Sequence, residues 1–149
     1  MTSGFTIGLR QAKAAFFDRP AVQNATDKAT NRNLSQFGAF VRTRSRSSIR
    51  KRRAISEPGQ PPSSHVGTLK KFIFFSFEPT TKSVVIGPTR TSEGGEAPAL
   101  LEYGGTAPFT PPRKRRPVTA RFRPRPFMTP AFNEEQKRLS PLWRDSVRK

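Results

Sequence analysis

The sequence predicts an α+β fold in which a small, mainly antiparallel sheet packs against one long helix, with extended arms rich in proline and arginine. Between Pro20 and about Arg53 there is no further proline and a single glycine, Gly38, which favours a long helix. Residues 70–87 contain two apolar runs separated by a polar turn, which is typical of a β-hairpin. Hydrophobic residues make up only 33% of the 149 residues, and 15 are proline, so we expect a compact core for only part of the chain.

We divide the chain into an N-terminal arm (1–19), a single α+β domain (20–143) and a C-terminal tail (144–149). Within the domain, residues 106–121 are expected to form a flexible basic excursion. Arms of this composition bury too little apolar surface to offset their conformational entropy, so we expect them to become ordered mainly against partners.

The long helix is predicted by apolar residues that recur every three to five positions, with one gap, at Val22, Ala25, Ala29, Leu34, Phe37, Val41 and Ile49. We expect it to run from Pro20 to about Arg53. Its C-terminal half carries many cations, which interact favourably with the helix macrodipole. The spacing of Arg42, Arg46, Arg50 and Arg53 would place these four side chains on one helical face.

Residues 54–68 contain Pro-Gly and Pro-Pro pairs and several serines, which predict a loop. The apolar run 72–77 predicts a strand that is apolar on nearly both faces, so we expect a central position in the sheet, with Phe74 and Phe75 in the core. Residues 79–82 form the predicted turn, and 83–87 the returning strand of the hairpin.

The C-terminal third predicts three further elements. Residues 97–103 form a short helix, with Pro98 near its start and two glycines after its end. Residues 118–125 alternate between apolar and polar side chains, which indicates a strand. Thr129 is expected to cap a last helix that has Pro130 at its first position and runs to about Ser140 or Trp143.

The net charge of +18, from 28 Lys and Arg against 10 Asp and Glu, indicates a polyanionic partner. Half of the basic residues fall in two clusters, at 42–53 and 113–125, and most are arginine, which suits bidentate pairing with phosphate or carboxylate. DNA, RNA, an acidic protein surface and an anionic membrane all remain possible partners on charge alone, and a merely solvated face is the alternative to any partner. The residues that we expect to contact a polyanion or partner are Arg42, Arg46, Arg50, Arg53, Arg113, Arg115 and Arg116.

No set of residues suggests catalysis. The single histidine, His65, lies in the Ser/Pro loop, there is no cysteine, and the adjacent Glu134 and Glu135 diverge around a helix. Neither a metal-ligand spacing nor a phosphate-cradling glycine motif is present. We therefore expect no enzymatic activity, no cofactor and no metal. No apolar run approaches the roughly 20 residues that span a bilayer, so no membrane-spanning segment is expected. The partners that we prefer do not include a membrane.

Three short segments occur in an order and spacing that resemble the tail-completion, or head–tail joining, family of tailed bacteriophages, also called neck or virion morphogenesis proteins. They are Gly67-Thr68-Leu69-Lys70, Leu101-Glu102-Tyr103-Gly104-Gly105 and Arg125-Pro126-Phe127-Met128-Thr129-Pro130-Ala131. The resemblance covers about residues 37–135. The chain departs from the usual pattern in the excursion 106–121 and in its first 20 residues.

The resemblance implies a structural virion protein that is assembled in the host cytoplasm and forms a homo-oligomeric, hexameric ring in the neck. Its neighbours would be the head connector or adaptor and the tail tube or tail terminator, with non-specific DNA contact in the bore left open. The implied oligomer contacts are Leu101, Glu102, Tyr103, Arg125, Pro126 and Phe127. An RNA-binding structural protein of ribosomal type fits the charge and the proline-rich arms equally well, and a DNA-packaging accessory protein is a third alternative. Self-association distinguishes the ring protein from both.

Overall fold

A computed structural model describes residues 19–89, 96–111 and 116–147. It confirms the predicted fold class, with one long helix packed against small, mostly antiparallel two-stranded sheets. In chain order the elements are α1 (Arg19–Ser48), β1 (Arg50–Lys51), β2 (Ser63–Ser64), α2 (Thr68–Lys71), β3 (Ile73–Glu78), β4 (Ser83–Pro88), α3 (Ala97–Tyr103), β5 (Gly105–Phe109), β6 (Val118–Phe122), α4 (Met128–Gln136) and α5 (Leu139–Trp143).

The described strands form three separate pairs. Strands β1 and β2 are parallel, β3 and β4 form an antiparallel hairpin, and β5 and β6 form an antiparallel ribbon. The predicted central position of β3 is wrong, because β3 pairs only with β4 among the described strands. Ile73 is fully buried against the helix, whereas Phe74 on the opposite face is 48% exposed and lies beneath the Arg42 guanidinium. Phe74 is therefore not a core residue.

Helix α1 contacts the β3–β4 hairpin through a glycine. A Cβ atom on Gly38 would lie 2.8 Å from Cδ2 of Phe75 and 2.8 Å from Cγ2 of Val84. The missing side chain lets the hairpin approach the helix closely. Further core contacts are made by Phe37 and Val41 with Ala131 of α4.

The buried positions of α1 recur every four residues and include polar side chains, at Ala29, Asn33, Phe37, Val41 and Ser45. Ser45 is completely buried, and its hydroxyl is satisfied there because it donates to the Val41 carbonyl at 2.9 Å. An apolar pattern alone therefore misses the buried polar positions Asn33 and Ser45 of this stripe.

Helix α1 ends at Ser48, five residues before the predicted end. The hydroxyls of Ser47 and Ser48 donate to the carbonyls of Arg44 and Ser45, both at 2.8 Å, and so satisfy carbonyl groups of the last turn. Ile49 then turns into the core and is 1% exposed, and the next two residues pair with β2. Arg50 and Arg53 therefore lie beyond the helix, and the predicted single helical face of four arginines is wrong.

The flexible excursion predicted for residues 106–121 is also wrong at both ends, because 105–109 and 118–122 form the β5–β6 ribbon. Strand β5 is not predicted from the sequence because it contains Pro108, although a proline is tolerated in a strand with an open edge. The predicted strand at 118–125 is confirmed over 118–122. Residues 112–115 lie outside the described part of the chain, as does the predicted N-terminal arm up to residue 18.

The other predicted elements are close to the structure. The hairpin and the helix 97–103 are confirmed, although Lys70 and Lys71 belong to α2 and not to a strand. The predicted last helix is divided into α4 and α5, and the predicted cap Thr129 lies inside α4, which begins one residue earlier. None of the helices in the described ranges is long and apolar enough to cross a membrane.

Candidate functional site

A second core cluster lies at the C-terminal end of α1. Ile49, Ile73 and Phe127 are each at most 1% exposed and contact one another. The half-buried side chains packed against them are those of Leu69, Leu101 and Met128. Each of the three segments that carry the phage resemblance thus contributes at least one side chain to this cluster.

Glu102 connects two of these segments. Its carboxylate accepts hydrogen bonds from the backbone N–H groups of Phe127 at 2.9 Å, Met128 at 3.0 Å and Thr129 at 2.7 Å. Burial of the carboxylate acts to raise its pKa, but these bonds, together with the Thr129 hydroxyl, hold the pKa below its ordinary value. Glu102 is therefore an ionised cap that satisfies the free N–H groups at the start of α4.

Arg125 joins the same end of the molecule to the long loop after β1. Its backbone N–H donates to the Leu101 carbonyl at 2.6 Å, and its side-chain Nε donates to the Ser56 carbonyl at 2.9 Å. The N–H of Gly59 donates to the Pro124 carbonyl at 2.9 Å. These bonds hold the loop against the base of the β5–β6 ribbon.

Burial changes the interpretation of the contacts implied by the resemblance. Phe127 is 1% and Glu102 is 7% exposed, and both make contacts inside the subunit, so neither presents its side chain at the surface. Leu101, Arg125 and Pro126 are half-buried. Tyr103 is 78% exposed and is the member of this set that is most available to a neighbour.

The first arginine cluster divides into two groups. Three of its members donate from Nε to acceptors within the subunit: Arg42 to the Ile73 carbonyl at 3.0 Å, Arg44 to a Glu135 carboxylate oxygen, and Arg52 to the Ser63 hydroxyl at 2.8 Å. The Arg42 bond ties α1 to the hairpin, and the predicted role of Arg42 as a surface contact stays a prediction. The remaining members, Arg46, Arg50, Lys51 and Arg53, form no ion pair within the described residues.

Arg44 compensates a buried charge. Glu135 is 3% exposed, and its two carboxylate oxygens face the Nε atoms of Arg44 and Arg138, the latter at 3.3 Å. A buried carboxylate that lacks such partners is strongly destabilising. The pairing joins residues that are 91 positions apart, and nothing in the local sequence indicates it.

An open groove of about 560 Å³ lies at the C-terminal end of α1. It is lined by the last turn of α1, the chain that follows it and the loop 57–61, through Arg44, Ser47, Ser48, Arg50, Arg52, Glu57, Gln60 and Pro61. Three guanidinium groups face one carboxylate, so the groove favours anions. Arg44 and Arg52, which sequence reasoning did not select, line it together with the predicted Arg50.

The second basic cluster is described only in part. Arg116 is exposed, whereas Arg113 and Arg115 lie outside the described residues. In the ranges that the structure describes, no group of three or more His, Asp or Glu side chains is placed to hold a metal ion. His65 is exposed in its loop.

Comparisons of the chain with protein-family models, with curated proteins and with solved structures found no match.

Proposed function

We propose that this protein is a structural subunit of a tailed-phage virion, which forms a ring in the neck and joins the head connector to the tail. The observation that carries the proposal is the cluster around Ile49, Ile73 and Phe127. Leu69, Leu101 and Met128, each from a different one of the three resembling segments, pack on it.

The packing of all three resembling segments on one core gives the resemblance a physical basis. Each segment alone is too short and too common to be specific. Side chains that pack together in one core depend on one another, because removing one leaves a cavity for the others. The Glu102 cap adds a second dependence between the segments 101–105 and 125–131. The three segments therefore belong to one structural unit.

The subunit also exposes surface that an assembly would cover. In the β5–β6 ribbon, paired residues lie on the same face, so Ala107 and Phe109 share an apolar face with Val118, Ala120 and Phe122. Phe109 and Val118 remain 45% and 40% exposed. Since an isolated two-stranded ribbon is marginally stable in water, a neighbouring subunit on this face would stabilise it. Repeating one such heterologous contact generates a ring where its rotation closes, and the resemblance implies closure with six subunits.

Inactivation of the gene that encodes this chain tests the proposal. We expect infected cells to accumulate DNA-filled heads and separate tails, seen by electron microscopy, and to regain complete particles when the chain is supplied in trans. Complete, infectious particles without the chain would overturn the proposal.

The runner-up is an RNA-binding structural protein of ribosomal type, which the net charge of +18 and the arginine-lined groove fit equally well. A ribosomal-type protein would bind structured RNA as a monomer and would co-sediment with ribosomal particles. A DNA-packaging accessory protein would bind duplex DNA tightly without a defined protein partner.

A further inference from the structure

The groove at the end of α1 is a candidate ligand site that the core does not use. We infer that it binds the phosphodiester backbone of a duplex nucleic acid, without reading its base sequence. This inference deepens the proposed function and rests on it for the identification of the duplex as DNA. Binding by the free subunit does not depend on ring formation, so the two ideas can fail separately.

Two of the three arginines in the groove are held in place before any ligand arrives. Arg44 is fixed through Nε by the buried Glu135, and Arg52 is fixed through Nε by Ser63. A guanidinium has five N–H donors, so a bond at Nε leaves the two terminal nitrogens as a fork. Among the described residues, these terminal nitrogens form no hydrogen bond. A fork of this geometry pairs bidentately with a phosphate group.

The lining favours a nucleic acid over a protein partner. Centres of protein–protein interfaces are depleted in charge and enriched in aromatic anchors. This groove contains no aromatic side chain and a single apolar residue, Pro61. Protein–DNA interfaces are instead polar and strongly positive.

Three further cations lie close in sequence to the residues that line the groove. The side chains of Lys51 and Arg53 are exposed and that of Arg46 is half-buried, and none of them forms an ion pair within the described residues. A polymer that carries one charge per nucleotide can contact such a surface at several points, whereas a single carboxylate or free phosphate can fill only one. The three arginines of the groove, with further cations nearby in the sequence, therefore match a backbone with repeated phosphates.

The same residues argue against sequence recognition. Stacking on bases requires aromatic side chains, which the groove lacks. Reading the bases of a duplex requires an element that enters one of its grooves, such as a helix or a β-ribbon, whereas these arginines line a concave surface that meets the duplex backbone. Contacts to phosphates alone position a duplex without specifying its sequence.

Glu57 provides an internal test, because it is the one carboxylate in the lining and it repels a phosphate. Replacement by glutamine removes this repulsion and retains the size of the side chain. If the duplex lies in the groove, Glu57→Gln strengthens binding. The matched change Glu78→Gln, at an exposed strand end outside the groove, leaves binding nearly unchanged.

The experiment measures binding of the full chain to a duplex DNA of about two helical turns by fluorescence anisotropy over a range of salt concentrations. The test variant is Arg50→Gln with Arg52→Gln, since Arg44 also supports Glu135. The matched control is Arg19→Gln with Arg144→Gln, which removes the same charge from exposed arginines outside the groove. Thermal unfolding monitors the fold of each variant.

We expect the test pair to weaken binding by about tenfold for each arginine and to lower the log–log salt slope by about 0.9 for each phosphate that is no longer neutralised. The control pair should keep most of the affinity.

Equal losses of affinity in both pairs, or no loss in the test pair, would overturn the inference, because binding would then follow overall charge or another surface. Preferential binding of poly-glutamate that depends on Arg50 and Arg52 would also overturn it, in favour of an acidic protein. Duplex RNA of the same length forms a further arm: equal or weaker binding supports the inference, and binding of RNA alone overturns the assignment to DNA.

Discussion

The carboxylate of Glu102 accepts the backbone N–H of Thr129 at 2.7 Å and so caps, from a different element, the helix that begins at Met128. The segment 101–105 and the segment 125–131 are therefore one structural unit. The phage resemblance implied that Glu102 is a contact with a neighbouring subunit. In the structure it is a support inside the subunit, next to the exposed Tyr103.

Glu102→Gln should reduce the free energy of unfolding by about 1–3 kcal/mol at neutral pH, because an amide cannot accept three N–H groups as a carboxylate does. Urea unfolding followed by circular dichroism measures this. The exposed Glu134→Gln is the control, and we expect it to change stability far less. A Glu102→Gln variant as stable as the wild type would show that the cap contributes nothing.

The Glu102 cap also predicts the direction of a pH dependence. Because the folded pKa of Glu102 is lowered, its contribution is fully present above the ordinary glutamate pKa of about 4.3. It is lost as the pH falls through the folded pKa, where the carboxylate becomes protonated in both states. The stability difference between wild type and Glu102→Gln should therefore shrink in acid. A difference that stays constant with pH would contradict an ionised cap.

Gly38→Ala should destabilise the protein, although alanine favours a helix over glycine by about 1 kcal/mol. The added Cβ would lie 2.8 Å from side-chain atoms of Phe75 and Val84, and such overpacking costs about 1–3 kcal/mol. Gly87→Ala in β4 is the control, because nothing lies within 4 Å of its Cβ position. Thermal unfolding of both variants checks this, and a stabilised Gly38→Ala would mean that the hairpin does not lie against α1 as described.

In strand β3, Ile73→Ala should cost about 2–5 kcal/mol, since Ile73 is completely buried. Phe74→Ala should cost only about 1 kcal/mol, because its ring is half exposed and interacts mainly with the Arg42 guanidinium. Denaturant unfolding of the two variants measures which substitution lowers the free energy of unfolding more. The reverse order would mean that the faces of β3 are assigned the wrong way round.

Reversal of Arg46, Arg50 and Arg53 to Glu should leave the isolated protein folded, since none of the three forms an ion pair within the described residues. We expect particle assembly, or retention of DNA in the head, to fail, because the surface that faces a polyanion changes sign. A variant with Arg19, Lys70 and Arg144 reversed is the charge-matched control. Normal yields of infectious particles from the first variant would leave the cluster as a solvated face.

The fold class could be predicted from the sequence because its main signals are local. The long stretch without proline gives α1, and the apolar run with its polar turn gives the β3–β4 hairpin. The end of α1 could not be predicted, because it depends on two serine hydroxyls and on the burial of Ile49 against Ile73 and Phe127. Strand β5, and so its pairing with β6, was missed because Pro108 and the basic segment after it are typical of a loop.

The candidate site could be predicted only in part. Composition predicts a polyanion partner and identifies the 42–53 cluster, but it cannot separate arginines that support the fold from those that remain free. That separation depends on partners far away in the chain, such as Ile73 for Arg42 and Glu135 for Arg44. The groove itself requires the loop 57–61 to lie against the end of α1, which the bonds from Arg125 and Gly59 stabilise.

Cryo-electron microscopy of the assembled particle tests the central proposal most directly, with this chain fitted into the density between head and tail. We predict a closed ring of identical subunits joined by heterologous contacts, in which the exposed face of the β5–β6 ribbon and Tyr103 contact the neighbouring subunit. Helix α1 should direct its arginine-rich end toward the DNA. A two-fold dimer, or a neck without density for this chain, would contradict the proposal.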